Sequence, residues 1–221
     1  LGNRSSVQAE VDVRHFTDLL LASDAEPALA KVLALYSAGW PMQDIYLQRF
    51  SPAARLLGDR WSKDELSFVS VTLATGRIVS LMRTLRHYWP TPPDSLRTVL
   101  MGAVPGEDHT LGITMVADSL RQHGWRVEVL SGLDHDTFLE RADVPCDVIA
   151  LSASTRSRLG SLGGLIVALR LEHPQLPIVV GGRLSRQEHG LLDRCGADAV
   201  LDDMAEAPAL FDRVALRAVS I

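Results

Sequence analysis

The spacing of apolar residues changes near residue 90. From His15 to Tyr88 they recur with the period of a helix, whereas from Arg97 onward short β-branched runs alternate with helical stretches. Three prolines in the four positions 90–93 separate the regions, and proline both stiffens the chain and prevents a helix from continuing. The pattern therefore predicts two domains, a helical one over residues 1–90 and an α/β one over residues 96–221.

The helical domain is predicted to contain about four helices. One has apolar residues on a single face and is bounded by Asp24 as N-cap and by Gly39; its apolar positions are Leu29, Val32, Leu33 and Tyr36. Another runs from Met42 to Leu57 and is closed by Gly58. The capping-box pattern Ser62-Lys63-Asp64-Glu65 then predicts the start of a long helix that ends near residue 87. Short connections between such helices favour an antiparallel four-helix bundle.

The second domain alternates strand and helix five times. The predicted strands are Thr98–Val104, Arg126–Leu130, Asp147–Ser152, Pro177–Val180 and Ala199–Leu201. The predicted helices are Leu111–His123, Asp136–Ala142, Leu162–His173, Ser185–Cys195 and Ala205–Val219. Nearly continuous apolar strands are typical of a parallel sheet covered on both faces. The fold class is therefore α/β: a flavodoxin-like, Rossmann-type five-stranded parallel sheet in the order 2-1-3-4-5.

Composition excludes several classes of protein. The 221 residues carry 22 Lys and Arg against 27 Asp and Glu, and this net charge of −5 argues against a chain that mainly neutralises phosphates. No apolar run approaches the roughly 18 residues of a membrane span. Cys146 and Cys195 form no C-x-x-C pair, which indicates buried thiols in a reducing compartment, the cytoplasm. No nucleophile with a base and an orienting group is recognisable, so we expect a protein that is not an enzyme.

Three polar or glycine-rich loops are expected to meet at one edge of the sheet. They follow strands 1, 3 and 4 and comprise Pro105–Gly112, Ser152–Arg158 and Gly181–Arg183. In a doubly wound sheet the ligand crevice lies beyond the carboxyl ends of the strands, where the strand order reverses. These loops are the candidate binding site.

The first loop carries an imidazole with metal-ligand character. Glu107 lies two positions before His109, and Gly112 lies three positions after it. A neutral imidazole binds borderline transition metals, and an acid on its other nitrogen fixes the tautomer and raises its basicity. The alternative is that Glu107 and Asp108 cap the following helix and that His109 is a solvated loop residue.

The spacing of these loops resembles the cobalamin-binding domain pattern D-x-H-x-x-G, S-x-L and G-G. Here 39 residues separate Gly112 from Ser152, and 26 separate the Ser-x-Ser from the glycine pair. The resemblance implies that His109 is the lower axial ligand of cobalt, that Glu107 is its partner and that Gly112 makes room for the nucleotide tail. It further implies a cofactor pocket that includes Asp108, Thr110, Leu111, Ser152, Ser154, Thr155, Gly181 and Gly182.

Three positions depart from the family pattern or extend it. Glu107 replaces the usual Asp, and its longer arm is expected to serve the same role. Ser154 replaces the usual Leu, which makes that wall of the pocket more polar. Arg183 follows the glycine pair, where it either contacts a phosphate or is solvated.

The helical domain resembles a cap over the upper face of the corrin. Trp61 stands where light-sensing and methyl-carrying relatives place a tryptophan over that face; a core aromatic is the alternative. The segment Trp61–Thr72 with Gly76-Arg77, together with Gly106–Gly112, resembles the AerR/PpaA group of regulators. That group are antirepressors of the CrtJ/PpsR transcription factor in purple bacteria and respond to light or oxygen through cobalamin or haem. In the adenosylcobalamin photoreceptors a histidine directly follows this tryptophan and a Glu-His pair lies a few turns further on. Here those positions are Ser62 and Val71-Thr72, so the usual upper-face histidine is missing, which argues against that photochemistry.

Three functions remain open at this stage. The first is a cobalamin-binding sensor and antirepressor that acts through a CrtJ/PpsR-like repressor. The second is a corrinoid carrier subunit of a methyltransferase, for which the role of His109 would be the same. The third is a haem-binding or cofactor-free module of this fold. Arg156 and Arg158, beside the crevice, either contact a protein partner or are solvated.

Overall fold

A computed structural model of the protein describes residues 2–89, 97–185 and 196–218. The chain forms two compact units, Leu1–Trp89 and Pro90–Ile221. The prolines of the predicted linker and nearly all of the helix predicted over Ser185–Cys195 lie outside the described residues. The domain bounds of 1–90 and 96–221 stay a prediction.

The first unit is helical. Its elements are α1 (Gly2–Leu21), α2 (Glu26–Ser37), α3 (Met42–Ile45), a π-helical turn (Tyr46–Phe50), α4 (Ser51–Ser62) and α5 (Phe68–Arg86). Because α3, the π turn and α4 follow without a break, the unit has four helical segments, as predicted. Phe16 stacks on Phe50 with ring centroids 5.9 Å apart, and Tyr46 contacts the same ring. All three side chains are buried, so they form the centre of this core.

Two predicted helix boundaries in this unit are wrong. Gly58 does not end its helix, because α4 continues to Ser62. Ser62 does not begin the next helix: Asp64 takes a left-handed φ of 58°, and the Glu65 N–H donates to the Arg60 carbonyl, which is the Schellman pattern that ends a helix. The N-cap of α5 is Ser67, whose hydroxyl accepts from the Ser70 N–H at 3.1 Å.

Helix α5 is, by length and composition alone, apolar enough to cross a membrane, with a mean hydropathy of 1.2; it is the single such helix among the described residues. The sequence analysis predicts no apolar run of membrane-spanning length, and the length and mean hydropathy of α5 depart from that prediction. One face of α5 nevertheless lies in the core of the helical unit, through Ala74, Ile78, Leu81, Met82 and Leu85. Arg77 on this helix donates to the carbonyls of Leu20 and Ser23, and so ties α5 to the end of α1.

The second unit is a five-stranded parallel sheet with helices between the strands. Its strands are β1 (Thr98–Ala103), β2 (Arg126–Leu130), β3 (Val148–Ser152), β4 (Ile178–Gly181) and β5 (Ala199–Leu201). Its helices are α6 (Leu111–Gln122), α7 (His135–Ala142), α8 (Leu159–Glu172) and α9 (Ala207–Ala218). The strand order is β2-β1-β3-β4-β5, which confirms the predicted flavodoxin-like order.

Apolar side chains cover both faces of this sheet. Alternate residues of β1 point to opposite sides, so Val99 and Met101 pack with α6 and α9, whereas Leu100 packs with α7 and α8. Gly102 has no room for a side chain, because a Cβ there would lie 2.0 Å from the Phe138 ring. Cys146, just before β3, is partly buried, and burial with the nearby Asp147 charge raises the pKa of its thiol to about 11.

Candidate functional site

The carboxyl ends of four strands lie in register. Ala103 pairs with Ser152, Ser152 with Gly181, and Gly181 with Leu201. The backbone continues this pairing into the loops, since the Ala153 N–H donates to the Gly181 carbonyl at 3.1 Å. The loops after β1, β3 and β4 therefore begin side by side at one edge of the sheet.

The Glu107 carboxylate connects two of these loops. Its Oε1 accepts from the His109 N–H at 2.9 Å and lies 2.5 Å from His109 Nδ1. Its Oε2 accepts from the Ser154 N–H at 2.6 Å. Only 4% of Glu107 is exposed. This buried carboxylate therefore fixes both the backbone of its own loop and the backbone after β3.

The charge state of Glu107 determines which nitrogen of His109 is available. Burial raises the pKa of this carboxyl, but the hydrogen bonds from His109 and Ser154 outweigh burial and bring it below its usual 4.5. An ionised carboxylate only accepts hydrogen bonds, so Nδ1 carries the proton towards Glu107. The Nε2 atom then presents its lone pair, and 63% of the side chain is exposed. The geometry is that of an oriented imidazole ligand.

The alternative in which Glu107 caps a helix is wrong. Helix α6 begins at Leu111, and Thr110 occupies the N-cap position. The acceptor atoms of Glu107 are used by His109 and Ser154, neither of which is in α6. Asp108 is exposed, and its carbonyl accepts from the Thr110 N–H at 3.1 Å.

The three predicted site glycines differ in how much space the surrounding chain leaves for a side chain. Gly182 has a φ of +103°, and a Cβ there would lie 2.3 Å from the Ala153 carbonyl oxygen, so the packing of the chain itself requires glycine. A Cβ on Gly181 would make only ordinary contacts with Leu201. A Cβ on Gly112 would meet no atom of the described residues within 4 Å. The fold therefore leaves Gly112 with open space at the start of α6.

The remaining predicted residues lie on the same loops with differing exposure. Ser152 is buried at the end of β3, and Arg183 is exposed after the glycine pair. Leu111 is partly buried at the first position of α6. The Thr155 hydroxyl lies 2.9 Å from that of Ser157, so it forms a hydrogen bond within the loop after β3.

Two features of this edge were missed from sequence. The Arg158 guanidinium lies against Gly106, because a Cβ on this glycine would be 2.5 Å from Arg158 Nη1. Ser185 is fully buried, and its hydroxyl donates to the Gly182 carbonyl at 2.8 Å and lies 3.1 Å from Asp202 Oδ1. Arg158 with Gly106, and Ser185 with Asp202, each connect loops that follow different strands. Sequence spacing gives no signal for such contacts.

The helical unit has a separate apolar surface. Trp61 is 47% exposed, which does not fit the alternative of a core aromatic. Phe68, Val69 and Leu73 in the first turns of α5 are 60–70% exposed. Val71 and Thr72, which replace the photoreceptor Glu-His pair, lie on the same helix.

Comparisons with known proteins show the family of the chain. Residues 97–211 match the B12 binding domain family. The chain is 30% identical over 173 residues to an uncharacterized 20.5 kDa protein in the bchF-crtJ intergenic region of Rhodobacter capsulatus, with 75% of this chain and 88% of the relative covered. It is 25% identical to the HTH-type transcriptional repressor CarH of Myxococcus xanthus, with 80% of this chain and 60% of the relative covered.

Corrinoid proteins of methanogens are also similar. Dimethylamine corrinoid protein 3 of Methanosarcina mazei is 24% identical, with 68% of this chain and 93% of the relative covered. The monomethylamine corrinoid protein of Methanosarcina barkeri has the same fold, with a TM-score of 0.76 at 18% identity over 89% of this chain and 94% of that one. Residues 97–211, which match the family model, include all five strands and the Glu107–His109 loop, and the chain belongs to the B12 binding domain family.

Proposed function

We propose that the protein binds cobalamin with His109 as the lower axial ligand of cobalt. The observation that carries this proposal is the hydrogen-bonded unit of Glu107, His109 and Ser154, which holds the imidazole at the edge of the sheet by its Nδ1, with 63% of the side chain exposed. The protein ligand of a corrinoid must be deprotonated, and Glu107 favours the required tautomer.

The surrounding residues are suited to the nucleotide tail of the cofactor. Gly112 leaves open space at the start of α6, and Gly181 adds no side chain at the end of β4. We assign the walls of this pocket to polar and small groups on the three loops, with Arg183 available to a phosphate; these are Asp108, Thr110, Leu111, Ser152, Ser154, Thr155, Gly181 and Gly182. On the helical unit, Trp61 with the neighbouring apolar surface of α5 is the proposed cover for the upper face of the corrin. When bound, cobalamin supplies a metal whose upper ligand responds to light or to redox change.

Absorption spectra test the ligation. Purified protein mixed with hydroxocobalamin is expected to shift the corrin spectrum, and His109→Ala should abolish the part of the shift that is due to imidazole. His123→Ala is a matched control, because His123 follows the other end of α6, about 18 Å away along a 12-residue helix. Acidification from pH 8 to pH 4 should weaken histidine ligation. Equal spectra for wild type and His109→Ala would contradict the proposal.

We infer a regulatory role in which the protein acts as an antirepressor on a CrtJ/PpsR-like repressor in the cytoplasm. The position of the similar Rhodobacter capsulatus protein in the bchF-crtJ intergenic region supports a link to that repressor, and the similarity to the CarH repressor supports a role in transcription. The net charge of −5 favours action through a DNA-binding partner over direct binding to DNA. The test is operator binding by the repressor, measured with cobalamin-loaded protein in the dark and after illumination. Operator affinity that is the same with and without the protein in both states would contradict this role.

A corrinoid carrier for methyl transfer is the second candidate. The observation that favours it is the similarity to methanogen corrinoid proteins, both in sequence and in fold. Turnover of methylcobalamin on this chain with partner methyltransferases would establish the carrier and exclude the sensor. The haem alternative has no counterpart in the names of the family and relatives above, and a Soret band on mixing with haemin would be needed to revive it.

A further inference from the structure

Arg158 has a guanidinium whose hydrogen-bond donors are unused within the described part of the chain. The residue ends the one-turn helix Arg156–Arg158 that follows β3, and it is partly buried, whereas Arg156 at the start of that turn is exposed. Among the described residues, no carbonyl or side chain accepts a hydrogen bond from the Arg158 guanidinium, and no carboxylate pairs with it. An arginine is always charged and carries five N–H donors. These donors are therefore available to a ligand that brings its own acceptor.

Gly106 contacts the face of this guanidinium. A Cβ on Gly106 would lie 2.5 Å from Arg158 Nη1, 3.0 Å from Cζ and 3.4 Å from Nη2. Distances this similar place that point over the guanidinium plane, because a point beyond one edge of the group would lie much farther from the opposite nitrogen. The N–H bonds lie in the plane, so the contact with Gly106 occupies none of them. Gly106 also has a φ of +78°, so both its conformation and the guanidinium favour glycine here.

This contact places Arg158 beside the loop of the candidate metal ligand. Gly106 immediately precedes Glu107, whose carboxylate orients His109. The charge of Glu107 is already compensated, because its two oxygens accept hydrogen bonds from His109 and Ser154 and lie in no ion pair with Arg158. The buried carboxylate therefore does not require the Arg158 cation.

We propose that Arg158 donates hydrogen bonds to an oxygen acceptor on the face of cobalamin that His109 binds, and that Gly106 is glycine because the guanidinium lies over it. This role rests on the proposed binding of cobalamin. The cofactor offers two kinds of acceptor on that face, the propionamide carbonyls and the phosphodiester of the nucleotide tail, and both suit a planar charged donor. A partner protein would have to reach a guanidinium that lies against the His109 loop, so the cofactor is favoured over a protein partner.

Dissociation constants for hydroxocobalamin test the proposal. Arg158→Met should raise the Kd about tenfold or more, because a hydrogen bond from a charged group is lost. Arg158→Lys should recover part of the affinity, since an ammonium donates to the same acceptor without the planar fork. Arg156→Met is the matched control, because it removes the same charge from an exposed position on the same turn, and it should change the Kd by less than about twofold. Equal Kd values for wild type and Arg158→Met, or equal effects of the two methionine substitutions, would overturn the proposal.

Two further readouts separate this role from cobalt ligation and from folding. At saturation, Arg158→Met should keep the part of the spectral shift that His109→Ala abolishes, because the imidazole is unchanged. Absence of that shift in wild type would contradict ligation by His109 and with it the role of Arg158, whereas a wild-type shift with an unchanged Kd in Arg158→Met would contradict the role of Arg158 alone. Without cofactor, wild type and Arg158→Met should have the same midpoint of thermal unfolding. A lower midpoint with an unchanged Kd would assign Arg158 to the fold and overturn the proposal.

Cobinamide identifies the acceptor, because it lacks the nucleotide and the phosphodiester but retains the corrin amides. If Arg158→Met weakens the binding of both corrinoids by the same factor, the acceptor is an amide; if it weakens only cobalamin, the acceptor is the phosphodiester. Gly106→Ala should also raise the Kd, and by a smaller factor when Arg158 is already methionine, since no guanidinium is then left to displace. Independent effects of the two substitutions would overturn the role of Gly106.

Discussion

At the scale of single residues, Glu107 is the group on which the site depends. A buried carboxylate is costly unless its charge is compensated, and here two backbone N–H groups and an imidazole N–H supply the compensation. The same bonds determine the His109 tautomer and join the loop after β1 to the loop after β3. One side chain thus links the stability of these two loops with the orientation of the proposed metal ligand, His109.

Glu107→Gln should lower the free energy of unfolding by about 1–3 kcal/mol at pH 7, because a charge-assisted network is replaced by a neutral amide. The pKa of Glu107 is lowered by folding, so its contribution is complete above the unfolded value of 4.5 and is lost as pH falls through the folded pKa. The gap between wild type and variant should therefore shrink below about pH 4.5. Urea unfolding from pH 7 to pH 3.5 measures it, and a gap independent of pH would contradict this role.

The two glycines Gly112 and Gly182 should respond in opposite ways to alanine. Gly182→Ala brings a Cβ within 2.3 Å of the Ala153 carbonyl at a positive φ and should destabilise the protein by about 1–3 kcal/mol. Gly112→Ala has open space and should leave the unliganded protein at least as stable, while it weakens cobalamin binding. Thermal unfolding and a cobalamin titration of both variants measure these effects. Loss of stability in Gly112→Ala would show that its glycine serves the fold.

At the scale of elements, the start of α5 shows why capping patterns can mislead. Ser62-Lys63-Asp64-Glu65 has the residue types of a capping box, but Ser62 is the last residue of α4, and its hydroxyl donates to the Asp59 carbonyl at 2.8 Å. The left-handed conformation at Asp64 ends α4 and reverses the chain. The true cap, Ser67, lies five residues further on.

Ser67→Ala should therefore destabilise the protein by about 1 kcal/mol, because the Ser70 N–H loses its side-chain acceptor. Ser62→Ala is the matched control and should change stability by less than half of that. Chemical denaturation of both variants measures the difference. The reverse order of the two effects would place the start of α5 at Ser62.

At the scale of the whole molecule, the sheet unit carries all three loops of the candidate site. Its five strands, its loops and the Glu107–His109 pair all lie within residues 97–211, the range that matches the family. The helical unit has its own core around Phe16 and Phe50. Each unit therefore has a separate set of buried contacts.

Residues 96–221 expressed alone should fold and unfold cooperatively, because the described apolar clusters on the two faces of the sheet consist of residues of this unit. If the proposed function is correct, they should bind hydroxocobalamin through His109 but more weakly than the full chain, since the proposed cover of Trp61 and the apolar surface of α5 is missing. Circular dichroism and a spectral titration against the full chain test both points. A fragment without cooperative unfolding would contradict the predicted domain bounds.

The sequence by itself determined the sheet, its strand order and the Glu107–His109 pair, because these follow from local periodicity and from spacing within one loop. Only the tertiary structure showed that Glu107 also accepts a hydrogen bond from the Ser154 N–H and that the Ala153 carbonyl leaves no room for a side chain on Gly182. It also showed that the Ser185 hydroxyl connects the loops after β4 and β5. Such contacts join residues far apart in the chain, and nothing in either local segment specifies them.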